Sequence, residues 1–474
     1  MSVQLSSRAN PQPLPHMVSS VPSGVLLRLA DCAARARQAA SAALHERAAL
    51  HVLDWLGNAA YGATRDVGLA MARWLALQAS GDRATLAGHS ADSSAAAAYH
   101  GALGSVLEMD DVHRASVLHP GPVVVPAAWA ACSASSEPRL LLGAVIAGYE
   151  VMVRVGRALG PTHYKLWHPT STAGSFGAAA AAAAMLGLDE ARTAQALALA
   201  GTRAGGLWQV RHESSYGKAW HMAGAARDGL AAAQLAAAGM TGPQGVLDGP
   251  SGWFAATAPD ADAALLDAPR ATPWIDDVSF KPWPACRHAH PAMDALSEVL
   301  AARPVAMADI ARIDVFSYAD ALRFCDRVAP HDEAQARFSI QHALAAWLRW
   351  GEPALAHYHG DALRDVAVSE LRPRVFVHED AAFQRRFPAQ YGARVVLTLN
   401  SGALLEAELH DTRGDPARPM ALAAIQAKAR ALMAAAAWPT ARIDAAVAAC
   451  AALPFSADLS DLHAVMLGRR MPAP

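Results

Sequence analysis

The chain has 474 residues and 49.5 kDa, of which 53% are hydrophobic and 17% charged, enough apolar surface for more than one core and too little charge for a disordered chain. Forty Lys and Arg stand against 42 Asp and Glu, a formal charge of -2, so no whole-molecule field draws nucleic acid or an anionic membrane. Five scattered cysteines (Cys32, Cys132, Cys286, Cys325, Cys450) form no CxxC pair, which argues against disulfides, structural zinc and iron–sulfur clusters.

Residues 1–23 are polar and Pro-rich, with no charged start leading into an apolar stretch. They read as a disordered leader rather than a signal peptide, and a cytoplasmic location is expected. From Val25 to Gly245 the text is nearly all helix former, punctuated by Gly, Pro and Ser. Helices are expected over 44–60, 94–107, 140–159, 172–186, 190–207 and 221–238. Those around 178–186 and 194–200 are apolar on almost every face, as helices buried among helices are, and their Ala side chains allow close approach. The mean hydropathy of +0.14 comes from these Ala runs, and polar residues interrupt every longer window, so no membrane-spanning helix is expected.

After Pro269 the texture changes. Strands are expected over 310–318, 374–378, 395–399 and 403–410, the last two joined by the turn Asn400-Ser401-Gly402, with a helix over 339–350. Helical periodicity returns over 421–437 and 443–451. The chain therefore reads as mainly α: a large all-helical domain formed by both ends (24–271 and 416–474), with an inserted smaller α/β lid domain (272–415). The cleft between them is the expected ligand site.

No phosphate loop, GxGxxG, GxSxG or HExxH occurs, so nucleotide, acyl-serine and zinc-protease chemistries lack support. Four segments embed polar groups in apolar text. LEMDDVHRASVLHPGPVVVP (107–126) collects Glu108, Asp110, Asp111, His113 and His119, a set suited to acid/base work or equally to a helix cap and solvated loop. His168 precedes a buried Ala-rich helix whose free amides would suit a carboxylate. Lys218 opens another apolar helix, where an ammonium needs a partner or must reach solvent. FKPWPACRHAHPAMDA (280–295) brings Lys281, Arg287, His288 and His290 together as an anion pocket or a basic loop. The inventory suits proton transfer beside carboxylates.

Taken in order, these segments resemble the MmgE/PrpD family. AGYEVMVRVG (147–156), HPTSTAGSFGAAAAAAAMLGLD (168–189), KAWHMAGAARDGLAAAQLAAAGMTGP (218–243), DEAQARFSIQHALA (332–345) and RGDPARPM (413–420) extend the match over most of residues 30–430. The resemblance implies a homodimer and a cleft free of metal and cofactor, in which water or carbon dioxide leaves a small carboxylate, or a proton moves at an activated carbon.

Where decarboxylases of the family read D-F-D-D-T, this chain has Glu108-Met109-Asp110-Asp111-Val112, and a lid tyrosine falls on Phe324. Two hydroxyl donors are thereby lost, which weighs against decarboxylation of cis-aconitate and for a dehydratase or hydratase, with an epimerase, then a cis-aconitate-type decarboxylase, or a non-catalytic binding protein as alternatives. The expected catalytic residues are His119, His168, Lys218, His290 and Asp110. Lys218 and His290 are read as carboxylate anchors, His168 or His119 as the base, and Asp110 as its orienter. Glu108, Arg287, Lys281, Val112 and Phe324 are expected to line the substrate, whereas His113 lies outside the pattern and is expected to be dispensable.

Overall fold

The computed structural model describes residues 24–213 and 215–468, so the leader expected over residues 1–23 lies outside the described residues. The Ala-rich text folds into α1 (Gly24–Gln38), α2 (Ala42–Gly62) and α3 (Asp66–Leu75). A minimal hairpin of β1 (Arg83–Ala84) and β2 (Ser90–Ala91) leads to α4 (Ser93–Leu103), α5 (Gly121–Ala131), α6 (Pro138–Leu166), α7 (Pro169–Met185), α8 (Glu190–Gly201), α9 (Gly217–Ala237) and the short α10 (Trp253–Thr257). Helix starts follow capping chemistry. Ser41 accepts from the Leu44 amide at 3.2 Å before α2, and Asp92 from the Ser94 and Ala95 amides at 2.9 and 3.1 Å before α4, satisfying donors that a first turn leaves free. Two helices end early: α4 stops at Leu103 and α8 at Gly201, short of the expected 107 and 207. The loops that follow carry much of the site.

Small residues set the spacing of the bundle. A Cβ on Gly148 of α6 would lie 2.9 Å from the Gly177 carbonyl of α7, and one on Gly177 would lie 2.9 Å from the Gly148 carbonyl. A side chain at either position would push the two helices apart. α6 is kinked at Gly160, which takes φ 71° ahead of Pro161, a conformation that an L side chain resists.

The second part begins with α11 (His290–Ala302), β3 (Ile310–Ser317), α12 (Ala319–Cys325), α13 (Glu333–Arg337) and α14 (Ile340–Trp350). It continues through α15 (Val366–Leu371), β4 (Val375–Glu379), α16 (Ala381–Arg386), β5 (Ala393–Leu399) and β6 (Leu404–Leu409). The sheet order is β4-β3-β5-β6, with β3 and β4 parallel and the other pairs antiparallel, Val315 facing Val395 and Val395 facing Ala407. Strict alternation of buried and half-buried positions along β5 is the period-2 signal of a one-sided sheet, and α11 packs against β5 and β6. The chain returns through α17 (Leu422–Ala435), α18 (Thr440–Ala452) and α19 (Ser460–Met466).

Side chains divide into two large buried clusters. One joins residues 25–278 with residues 429–466, and the other runs from Trp283 to Leu399. Trp274, Ile275 and Val278, which the sequence reading assigns to the lid, are buried in the first cluster. Their apolar side chains follow the helices they cover, whatever the change in texture at Pro269. The fold is mainly α, as expected. Among the described residues no helix is long and apolar enough to cross a membrane.

Candidate active site

The segment between α4 and α5 supplies the acids. Glu108 sits in the left-handed region at φ 55°, a conformation that costs a non-glycine residue about 1 kcal/mol or more and persists only where surroundings enforce it. Two ammonium groups engage it. The Lys218 ammonium, in the first turn of α9, donates to the Glu108 carboxylate, while the Lys281 ammonium, fully buried, donates to the Glu108 carbonyl at 3.1 Å. Lys281 also lies 3.6 Å from a carboxylate oxygen of Glu108 and 3.6 Å from one of Asp110. Burial pushes the Glu108 carboxyl upward, but Lys218 and Lys281 outweigh it and hold it below the usual carboxylate range. Burial likewise pulls Lys218 down, and Glu108 with Asp110 more than restores it, so the ammonium stays protonated.

The two adjacent aspartates do different things. Asp111 is a structural hub: its carboxylate accepts from His51 Nδ1 at 2.7 Å, from the Tyr149 hydroxyl at 2.5 Å and from the Gly121 amide at 2.8 Å. Among the described residues Asp110 is buried with neither oxygen hydrogen-bonded, and its carboxyl faces Lys281 and His119. His119 Nδ1 donates to the Asp111 carbonyl at 2.8 Å and lies 3.1 Å from Asp110 Oδ2. That bond fixes the tautomer and leaves Nε2 as the proton acceptor. The His119 amide also donates to Thr170 Oγ1 at 3.1 Å, which ties this loop to the start of α7.

His168 is the N-cap residue of α7. Its amide donates to the Gly206 carbonyl at 2.9 Å, its Nδ1 lies 3.2 Å from His221 Nδ1, and its ring packs 4.3 Å from that of Trp208. Among the described residues its Nε2 is buried without a partner. Burial, then the charge of Lys218, then His221 push its pKa well below the ordinary value, so the imidazole is neutral. Burial and then Lys218 likewise lower His221.

The 280–295 segment departs from expectation. His290 is buried with both nitrogens engaged: Nδ1 takes a bond from Arg287 at 3.1 Å and Nε2 donates to the Ala285 carbonyl at 3.0 Å. Arg287 is itself held by an ion pair with Asp415 and a 3.1 Å bond to the Arg413 carbonyl. These bonds engage both His290 nitrogens and both Arg287 amino groups, and among the described residues neither side chain bonds Glu108 or Lys218. The ring that faces Lys281 and His119 is His288, whose pKa is pushed down to about 3 by burial and by those two groups. His288 bonds the Tyr318 hydroxyl at 2.9 Å through Nδ1 and lies between Phe324 at 5.0 Å and Tyr391 at 5.4 Å. Phe324 stacks on His288 and on Tyr164, the latter at 5.6 Å. Val112 contributes backbone, exchanging bonds of 2.9 and 2.8 Å with Ser279.

His113, expected to be dispensable, is buried between Ser116 Oγ at 2.6 Å and Asp277 at 3.2 Å. Sequence reasoning passed over His221, Trp208 and Arg211. A signal existed for His221, three residues after Lys218 and hence on the same face of α9; Trp208 and Arg211 follow a Gly-Gly loop with no periodicity. Among the described residues no three His, Cys, Asp or Glu side chains are placed to hold a metal ion.

The MmgE/PrpD N-terminal domain model matches residues 27–266, and the MmgE/PrpD C-terminal domain model matches residues 283–452. The chain is 27% identical over 403 residues to a cis-aconitate decarboxylase of Homo sapiens, covering 81% of this chain and 82% of that protein. It is 29% identical to a cis-aconitate decarboxylase-like protein of Aspergillus oryzae, covering 79% and 82%. With a 2-methylcitrate dehydratase of Salmonella typhimurium it shares 26% over 211 residues, 43% of this chain and 44% of that protein.

Proposed function

The chain belongs to the MmgE/PrpD family, and from that membership we propose that it is a lyase that removes water from, or adds it to, a small carboxylated substrate. The observation that carries the proposal is the protonation contrast in the cleft: His168 is held neutral with Nε2 unpartnered among the described residues, while Lys218 beside it is held cationic. Two titratable groups pushed apart by their surroundings are the requirement for acid and base work at one pH. In this reading neutral His168 takes the proton next to a carboxylate, and the electron pair moves into that carboxylate as enolate-like charge. The ammoniums of Lys218 and Lys281 offset the charge as it develops. The β-hydroxyl then departs as water with the proton that His168 Nε2 has taken up, and the imidazole ends neutral as it began. In this reading His119, whose Nδ1–H is held by the Asp111 carbonyl, accepts a hydrogen bond from the substrate hydroxyl at Nε2.

Decarboxylation is the second reading, supported by the longer match to the decarboxylases, 81% of the chain against 43% for the dehydratase. Phe324, with no hydroxyl to offer, supports dehydration instead. A panel of di- and tricarboxylates followed by mass spectrometry tests the choice. Loss or gain of water is expected; loss of carbon dioxide would establish the second reading, and solvent deuterium uptake with no other mass change would establish an epimerase.

A further inference from the structure

The cleft's cations are unequally matched. Lys218 and Lys281 face Glu108 and Asp110, so two positive charges meet two negative ones before any substrate arrives. Arg211 is different. It ends a 3-10 turn, Trp208–Arg211, in the loop between α8 and α9. Its guanidinium lies 4.9 Å from the Trp208 ring centre and 5.0 Å from that of Phe324 in α12, so it touches both parts of the chain.

One amino group donates to the Lys165 carbonyl at 2.9 Å, which holds the side chain in place without neutralising it. Among the described residues its Nε is buried with no hydrogen-bond partner, as is Trp208 Nε1. Among the described residues no carboxylate forms an ion pair with it, and the nearby charges include Arg323 as well as Asp320. His168, whose ring packs on Trp208, lies within electrostatic reach of Arg211.

We propose that Arg211, with Trp208 beside it, binds a carboxylate of the substrate remote from the reacting carbon and so selects for substrates that carry a second anionic group. The inference rests on the carboxylate reading above. An unmatched guanidinium in a partly dry, aromatic-walled site gains most from a planar, bidentate anion, whereas the compensated lysines are left to respond to charge that appears only during reaction. A monocarboxylate occupying the reacting end would leave Arg211 as it is.

Calorimetric titration of the full-length protein with succinate and with butyrate, which has the same carbon count and one carboxylate, tests the assignment. Wild-type protein is expected to bind succinate about 30-fold more tightly, the scale of one charge-assisted bidentate contact. Arg211→Ala should abolish that preference while leaving butyrate affinity unchanged, which also certifies an intact site, and Arg211→Lys should restore part of it. An Arg211→Ala protein that keeps the preference, or that loses both ligands equally, would overturn the role of Arg211 and leave the carboxylate reading standing. Wild-type protein that binds neither ligand would overturn both.

Discussion

The Lys428 ammonium of α17 donates to the Met109 carbonyl at 2.5 Å, so a residue near the end of the chain holds the backbone of the segment that presents Glu108 and Asp110. The same ammonium donates to Asp54 of α2 at 2.6 Å, and both side chains are almost fully buried. Burial drives the Asp54 carboxyl up to about 6 even with Lys428 beside it. Lys428→Met should leave that acid without a cation and release Met109. A loss of about 3–5 kcal/mol in unfolding free energy is expected, read by denaturant titration. Catalytic efficiency should fall in the protein that remains folded, and unchanged kinetics there would show that Met109 needs no such tether.

The proposed base and its cationic partner make a second test. His168→Ala and Lys218→Ala should each lower kcat/KM by about 100-fold or more. Exhaustive chelation should leave the wild-type rate unchanged, because ammonium groups carry the charge stabilisation in this proposal. The Lys218 variant also removes one of two cations facing buried Glu108, so its melting temperature belongs beside its kinetics.

The pH dependence has a definite sign. The base His168 and the hydrogen-bond acceptor His119 must both be unprotonated, and the folded-state pKa values of both lie below 6.5. Activity should persist as pH falls past 6.5 and be lost only below it, at the depressed pKa. Histidine Cε1–H titration by NMR should show no step for His168 above about pH 6.5, and Lys218→Met should move the step upward by removing a cation. Stability follows the same direction. Buried His51 and His163 are lowered to about 4 and His100 to about 3, chiefly by burial. Their contribution is fully present above 6.5, the unfolded value, and is lost as pH falls from there toward 4 and below. Acid unfolding monitored by circular dichroism should begin in that window.

Three histidines separate structure from chemistry. His290→Ala should cost about 1–3 kcal/mol of stability, because Arg287 and the Ala285 carbonyl lose a buried partner, while kcat/KM of the folded protein changes little. His113→Ala should behave similarly through Ser116 and Asp277. His288→Ala should instead lower kcat/KM, since its ring stacks on Phe324 and faces Lys281 and His119.

Much of the fold was legible because helix and strand periods are local properties. The buried Ala-rich α7 and the alternating β5 carry their environments in their own spacing. The family was legible because its motifs recur in order along the chain. Roles within the cluster were not legible, since a titratable residue's work depends on which partners fold against it. His290 and His288 are two residues apart in one motif, yet backbone and guanidinium consume one ring while the other faces the cleft. Asp110 and Asp111 are adjacent, yet three donors from α2, α5 and α6 claim only Asp111. Arg211 stood in a loop with no periodic signal, and its missing counter-charge is a fact about three-dimensional neighbours. Composition and spacing decide which groups are available; burial and the sum of nearby charges decide which are left free to act, and only the tertiary structure sets those.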